Sequence, residues 1–131
     1  MLREVARVRQ IDGEPRRRWF SGEGIDLIVW LDERAAAFGF QLCYPEGGHE
    51  MALTWEAGRG FEHATVDNGD NGLRYKGTPL LKPGAPLEIK HVRLLFEAVA
   101  ANLPTEIRRL VSEALSHYPQ SPEIPARRPA K

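Results

Sequence analysis

The chain of 131 residues has a single cysteine, which excludes a disulfide within it and makes a reducing cytoplasm the expected compartment. Long apolar runs are also missing. None approaches the roughly 18 residues that span a bilayer, and the first ten residues, MLREVARVRQ, lack the apolar core of a secretory signal. The formal net charge is zero, which gives no general attraction to nucleic acid or to anionic membranes. We therefore expect a cytoplasmic protein without membrane contact.

Motifs for catalysis, metal binding and cofactor binding are missing as well. The chain has no phosphate-binding glycine loop, no HExxH and no pair of cysteines. His49-Glu50 and His63 do not have the spacing of metal ligands. The acidic stretch DNGDNG at 67–72 has Gly69 where a calcium loop needs an oxygen ligand, and Thr78 where it needs a glutamate. We therefore predict no catalytic residue, no metal site and no cofactor, and this weighs against an enzyme.

What the chain does have is the composition of an ordinary globular domain. Hydrophobic residues make up 42% and charged residues 27%, and the length is enough for one hydrophobic core. From Pro119 onward, PQSPEIPARRPAK has four prolines and few apolar residues, which is typical of disorder. We predict a single α+β domain over residues 1–118 and a disordered tail over 119–131.

Short β-type runs separated by turn signals fill the first two thirds of the chain. Such close spacing leaves no room for crossover helices, so consecutive strands should pair antiparallel. The predicted strands are 3–11, 16–21, 26–32, 38–45, 49–56, 61–67 and 73–77. Apolar residues at helical spacing appear only after Leu87, at Val92, Leu95, Phe96 and Val99, and again from Ile107 to Leu115. These patterns predict an antiparallel meander of about six or seven strands with two C-terminal helices packed on one face.

The stretch FGFQLCYPEGGHEMALTWE at 38–56 predicts a hairpin that turns at Gly47-Gly48. This turn pairs apolar residues with apolar residues: Tyr44 with Met51, Leu42 with Leu53 and Phe40 with Trp55. Extension of the same alternation, with a turn across 67–72, adds Ala64, Val66, Leu73 and Tyr75 to the apolar side. The predicted core face is made of Leu27, Val29, Leu31, Phe38, Phe40, Leu42, Tyr44, Met51, Leu53, Val66 and Leu73.

The opposite face of the sheet is mixed in character and is the expected contact surface. Its predicted members are Ile28, Trp30, Gln41, Cys43, Ala52, Thr54, His63, Thr65, Arg74 and Lys76. The position of His63 depends on the link Gly58-Arg59-Gly60. A two-residue loop opposes Trp55 to Glu62, whereas a three-residue loop opposes it to Phe61.

The zero net charge hides an uneven distribution along the chain. Residues 1–18 carry six Arg and three acids (+3), residues 19–72 carry two Arg and ten acids (−8), and residues 73–131 carry ten Lys or Arg and five acids (+5). The basic ends can bind an anionic partner, or they can lie beside the acidic middle of the same chain or of a second subunit. Arg16, Arg17 and Arg18, followed by two aromatics, are the nucleic-acid candidates, although nucleic acid is the less expected partner.

Four stretches carry a resemblance to known sequences: RRWFSGEGIDLIVWLDE at 17–33, GFQLCY at 39–44, EMALTW at 50–55 and TPLL at 78–81. Together they resemble a family of small bacterial proteins of uncharacterised function, over roughly residues 7–115. The resemblance implies a compact bacterial cytoplasmic domain. It brings no activity, substrate or catalytic residue with it.

Three functions are compatible with these observations, and nucleic-acid binding through the basic N-terminal hairpin is the least expected of them. The first is a binding module that contacts a partner, including a second copy of itself, through the mixed face or an edge strand. The second is a small-molecule site or enzyme with a pocket on a curved sheet, lined by Trp30, Gln41, Cys43, Thr54, His63 and Arg74. A mid-strand cysteine in an acidic region is a poor candidate for a nucleophile, which favours the first.

Overall fold

The computed structural model describes residues 1–67, 80–83 and 87–119. Its described elements are β1 (Arg3–Glu4), β2 (Arg16–Gly22), β3 (Ile25–Leu31), β4 (Ala37–Glu46), β5 (His49–Glu56), β6 (Gly60–Asp67), β7 (Leu80–Pro83), α1 (Ile89–Val99) and α2 (Thr105–His117). The strands form one antiparallel sheet in the order β1 to β7, so each strand pairs with its neighbours in sequence. The predicted α+β meander with two C-terminal helices is confirmed.

The two helices close the hydrophobic core from one side of the sheet. Their buried residues are Val92, Phe96 and Val99 in α1, and Ile107, Leu110, Val111, Ala114 and Leu115 in α2. These side chains belong to the same cluster as Leu27, Val29, Phe40, Leu42 and Leu53 of the sheet. Each large apolar side chain buried in such a cluster contributes about 2 kcal/mol, which makes this face the main source of stability.

The hairpin of β4 and β5 has the register that the sequence predicts. Tyr44 pairs with Met51, Leu42 with Leu53 and Phe40 with Trp55, and all six side chains are buried. The chain reverses at Gly47 and Gly48, whose φ angles are 60° and 81°. The Trp55 ring contacts two other aromatic rings. Its centroid lies 5.8 Å from that of Phe40 and 6.5 Å from that of Phe61.

The first predicted strand is wrong in its length. Residues 3–11 are expected to be extended, but β1 contains only Arg3 and Glu4, and Arg7 adopts a φ of 59° that ends the pairing. Beyond this point the Gln10 side chain, and not a strand, forms hydrogen bonds with the backbone of β2. Its amide donates to the Arg17 carbonyl at 3.1 Å and accepts the Arg17 N–H at 2.9 Å. The Gln10 amide thus satisfies the backbone N–H and carbonyl of Arg17 at the edge of β2. The alternation of residues in the sequence does not predict this contact.

The last predicted strand, 73–77, lies outside the described residues, together with Leu73, Arg74 and Lys76. The partner of β6 in the described part of the chain is β7, which the sequence analysis did not predict. The tail after Pro119 also lies outside the described residues, so its predicted disorder stays a prediction. None of the described helices is long and apolar enough to cross a membrane.

Candidate functional site: the second face of the sheet

The face of the sheet that points away from the helices is called here the second face. Strand alternation and register assign to β2–β6 of this face Arg17, Trp19, Ser21, Asp26, Ile28, Trp30, Gly39, Gln41, Cys43, Pro45, Glu50, Ala52, Thr54, Glu56, Glu62, Ala64 and Val66. None of these residues belongs to the core cluster that the helices close. The second face is therefore separate from that cluster, but its apolar residues on β5 and β6 are themselves buried: Ala52, Ala64 and Val66 are 0%, 1% and 8% exposed.

Aromatic and aliphatic side chains occupy the β2–β3 part of the second face. Trp19 pairs with Ile28 and Arg17 pairs with Trp30; the three apolar side chains are half-buried, and the indole nitrogen of Trp19 is buried. Trp30 lies against Gly39 of β4. A Cβ atom at Gly39 would come within 3.2 Å of Trp30 Cε3 and within 2.9 Å of the Trp55 carbonyl oxygen. Glycine at position 39 thus lets the indole approach the backbone of the neighbouring strand.

A small polar group lies in the middle of the second face, on β4 and β5. Gln41 Nε2 donates a hydrogen bond to Thr54 Oγ1 at 3.0 Å. The Cys43 thiol donates a long, weak hydrogen bond to Gln41 Oε1, with an S···O distance of 3.7 Å. Burial raises the pKa of Cys43 from 9.0 to about 12, with smaller contributions from the carboxylates of Glu50 and Asp26. A thiol with this pKa holds its proton at neutral pH, so Cys43 is not poised to act as a nucleophile.

His63 does not lie on the second face, and the prediction that it shares a face with Cys43 is wrong. Residues 57–59 form a three-residue loop, so Trp55 pairs with Phe61 and Leu53 pairs with His63. His63 is therefore on the core face, where it is 8% exposed. Its Nε2 lies 2.6 Å from the hydroxyl oxygen of Tyr44. The predicted pocket, which requires Cys43 and His63 together, is thereby divided between two sides of the sheet.

The same register places two apolar residues on the second face and not on the core face. Ala64 and Val66 are predicted on the core face, but Ala64 pairs with Ala52, and Val66 follows the same alternation onto the second face. Thr65, which is predicted on the second face, lies on the core face opposite Met51. The second face is therefore more apolar at β6 than the sequence analysis predicts.

Charge on the second face is separated across the strands. Arg3 pairs with Ser21 at the β1–β2 side, and Arg17 lies on the same side. Glu50, Glu56 and Glu62 lie on β5 and β6. Arg59 reaches Glu56 at 3.7 Å, but its side chain is 80% exposed, and this contact is worth little. One side of the face is thus basic and the other is acidic.

The three consecutive arginines do not form one basic stripe. Arg17 points to the second face, where its Nε donates to the Arg9 carbonyl at 3.1 Å, whereas Arg16 and Arg18 point to the other side. Arg18 forms a two-bond ion pair with Glu4 at 2.7 and 2.8 Å. This pair lowers the pKa of Glu4 through the hydrogen bond from Arg18. The nucleic-acid candidates are therefore divided between two surfaces.

Of the predicted contact residues, Trp30, Gln41, Cys43 and Thr54 lie together on the second face, His63 lies apart from them, and Arg74 is outside the described residues. The sequence analysis missed Trp19 and Arg17 as members. Both follow from a two-residue turn at Glu23-Gly24, which sets Gly22 opposite Ile25 and Trp19 opposite Ile28. Among the described residues, no group of three or more His, Cys, Asp or Glu side chains could hold a metal ion.

Comparison of the chain with protein-family models, with curated proteins and with solved structures gives no match. The resemblance to a bacterial family therefore stays a prediction.

Proposed function

We propose that the protein is a protein-binding module that uses the second face of its sheet as the contact surface and binds a second copy of itself. The observation that carries the proposal is the group of Trp19, Ile28 and Trp30, which is half-buried and lies outside the core that the helices close. Tryptophan is enriched at the centres of protein interfaces, where its large surface supplies much of the binding energy. A face that only meets water has no need of two such residues.

The polar residues of the second face also favour a protein partner. Acidic and basic side chains both occur on it, so a polyanion would meet repulsion from Glu50, Glu56 and Glu62. Gln41 and Thr54 form a hydrogen-bonded pair in the middle, which is a typical polar element within an apolar contact. The high pKa of the Cys43 thiol and the distance of His63 from this face weigh against an enzyme that would use them.

Sedimentation of the purified protein across about 10 to 300 µM tests this proposal, since interfaces of modest size commonly have micromolar Kd values. We expect a monomer–dimer equilibrium for the natural chain and a monomer for Trp30→Glu, because the substitution places a carboxylate in the apolar part of the interface.

Leu94→Glu is the matched control. Leu94 is 73% exposed on α1, on the helical side of the molecule. Like Trp30→Glu, this substitution replaces an apolar side chain with a carboxylate. This variant should associate as the natural chain does. Circular dichroism verifies that both variants are folded. A natural chain that stays monomeric over the whole range, or a Trp30→Glu variant that dimerises normally, contradicts the proposal.

A further inference from the structure

The edge of β2 that faces away from β3 is a surface distinct from the second face. Alternate residues of an antiparallel strand direct their N–H and C=O groups to the same neighbour, so a complete edge needs a partner at every second residue. β1 supplies this partner only opposite Phe20 and Ser21. At Arg17 the Gln10 amide supplies it, with bonds of 2.9 Å from the N–H and 3.1 Å to the carbonyl. One side chain therefore occupies the position of a neighbouring strand.

Gln10 belongs to a weakly packed segment, residues 5–15, which is called here the strap. Only Val8 and Ile11 of the strap are half-buried, and its other side chains are exposed. Arg7 has a φ of 59°, a backbone conformation that strains a residue with a Cβ atom. A segment with few buried side chains and exposed hydrogen bonds opens more readily than the core strands. The strap can therefore leave the edge of β2 while the rest of the sheet stays folded.

The charge of this edge determines which strand fits it. The edge beside Gln10 consists of the three arginines at 16–18. Two copies paired through it would set arginine opposite arginine, and like charges directly opposite each other destabilise a sheet. A strand with carboxylates has the complementary charge. The chain's own β1 is an example, because its Glu4 carboxylate accepts two bonds from Arg18 at 2.7 and 2.8 Å.

We propose that the edge of β2 at residues 16–18 is a β-addition site for an extended acidic segment of a partner protein, and that the Gln10 side chain keeps this site closed. The central residue of the segment takes the place of the Gln10 amide and exchanges both backbone hydrogen bonds with Arg17. Its two neighbours lie opposite Arg16 and Arg18, whose side chains share one face of the sheet. Glu-x-Glu is therefore the pattern that fits.

The strap and the partner segment compete for the same two backbone groups of Arg17, so the Gln10 contact is autoinhibitory. The natural chain binds the segment only in the fraction of molecules whose strap is open, and its apparent affinity is reduced by that fraction. A substitution that removes the Gln10 amide removes this reduction. The Arg18 guanidinium has more N–H donors than the two that Glu4 uses, so it can bind a further carboxylate while that pair persists.

Fluorescence anisotropy of the full chain with three labelled peptides tests this site. The probe is Val-Glu-Val-Glu-Val with blocked ends. Val-Lys-Val-Lys-Val reverses its charge, and Val-Glu-Pro-Glu-Val lacks the central N–H that would bond the Arg17 carbonyl. Gln10→Ala should bind the probe at least about fivefold more tightly than the natural chain, because no side chain has to be displaced. Both control peptides should bind this variant at least about tenfold more weakly than the probe.

Two further measurements locate the peptide on the edge of β2. Arg16→Glu in the Gln10→Ala chain should weaken probe binding about tenfold, whereas Arg108→Glu, an exposed reversal on α2, should leave it unchanged. Hydrogen exchange at the Arg17 amide should be slow in the natural chain and fast in Gln10→Ala. It should become slow again when the probe is bound, since the peptide carbonyl then accepts this N–H.

Several results would overturn the β-addition site. These are equal affinities of the natural chain and Gln10→Ala, equal binding of the probe and the proline peptide, and an Arg17 amide that stays unprotected with the probe bound. A Gln10→Ala chain that binds no probe up to about 1 mM has the same consequence. Circular dichroism verifies folding, and Gln10→Ser, whose side chain is too short to reach both groups, replaces Gln10→Ala if that variant does not fold. None of these readouts depends on association of two copies, so they are independent of the proposed function.

Discussion

The hydrogen bond between Tyr44 and His63 is a polar contact placed inside the core face. The two rings lie nearly parallel, with centroids 6.0 Å apart, and the hydroxyl oxygen lies 2.6 Å from Nε2. Tyr44 is fully buried, so neither water nor an exposed group can replace this contact at the hydroxyl. A buried polar atom that loses its partner costs more than the bond itself contributes, because its desolvation is no longer offset.

We predict that Tyr44→Phe lowers the free energy of unfolding by about 1 to 3 kcal/mol. Tyr118→Phe is the control, since Tyr118 contacts Phe61 through its ring and should lose less than about 0.5 kcal/mol. Urea denaturation of Tyr44→Phe, His63→Phe and the double variant gives the coupling energy of the pair. A coupling energy near zero would show that the contact does not contribute to stability.

The raised pKa of the Cys43 thiol predicts that the protein loses stability at alkaline pH. Burial raises its pKa from 9.0 to about 12, so above pH 9 the unfolded chain releases the thiol proton while the folded chain retains it. The contribution of this thiol is complete below pH 9 and is lost as the pH rises towards about 12. Burial also raises the pKa of Tyr44, which acts in the same direction. The urea midpoint should therefore fall over this range, and it should fall less steeply in Cys43→Ala. Equal slopes for both proteins would contradict the assignment.

The loop between β5 and β6 decides which side chains reach which face. The strands, the β4–β5 register and the helical positions follow from the sequence because each is fixed by a local pattern, such as Gly47-Gly48 between two alternating runs. Gly58-Arg59-Gly60 allows two loop lengths, and a change of one residue in register moves every side chain of β6 to the other face. His63 and Val66 were misplaced for this reason. Alternation alone could not correct the error, because β6 has small or apolar residues on both faces.

We predict that this loop depends on its two glycines and not on the residue between them. Gly58 and Gly60 have φ angles of 86° and 88°, where an L-residue with a Cβ atom is strained. Gly58→Ala and Gly60→Ala should each lower the free energy of unfolding by about 1 to 2 kcal/mol. Arg59→Ala, at a position 80% exposed, should change it by less than about 0.5 kcal/mol. Thermal unfolding of the three variants measures this, and an Arg59→Ala loss as large as the glycine losses would contradict it.

Across the whole molecule, the uneven charge of the sequence becomes a gradient in space. The meander keeps sequence order, so the basic first segment lies at β1–β2 and the acidic middle lies at β3–β6. The sequence analysis left open whether the basic ends serve an anionic partner, the same chain or a second subunit. The Glu4–Arg18 pair satisfies part of this charge within the chain, and Arg17, on the second face, donates to the Arg9 carbonyl of the same chain.

The sheet and the helical layer are also joined at one corner by Leu2. Its side chain is fully buried in the core cluster, and its backbone N–H donates to the carbonyl of Val99 at 2.9 Å, at the end of α1. The neighbouring backbone of Met1 comes so close to Gly22 that a Cβ atom there would clash with the Met1 carbonyl oxygen. The segment ahead of β1 is thus packed between the edge of the sheet and α1.

We predict that Leu2→Ala lowers the free energy of unfolding by about 2 to 5 kcal/mol, because it leaves a cavity where the two layers meet. Val5→Ala is the control: Val5 is 40% exposed at the same edge and should lose about 1 kcal/mol or less. Hydrogen exchange adds a local readout, since loss of the Leu2 anchor should expose the amides of β1 and of the end of α1 before those of β4 and β5. Equal losses for the two variants, or uniform exchange in Leu2→Ala, would show that this corner does not hold the layers together.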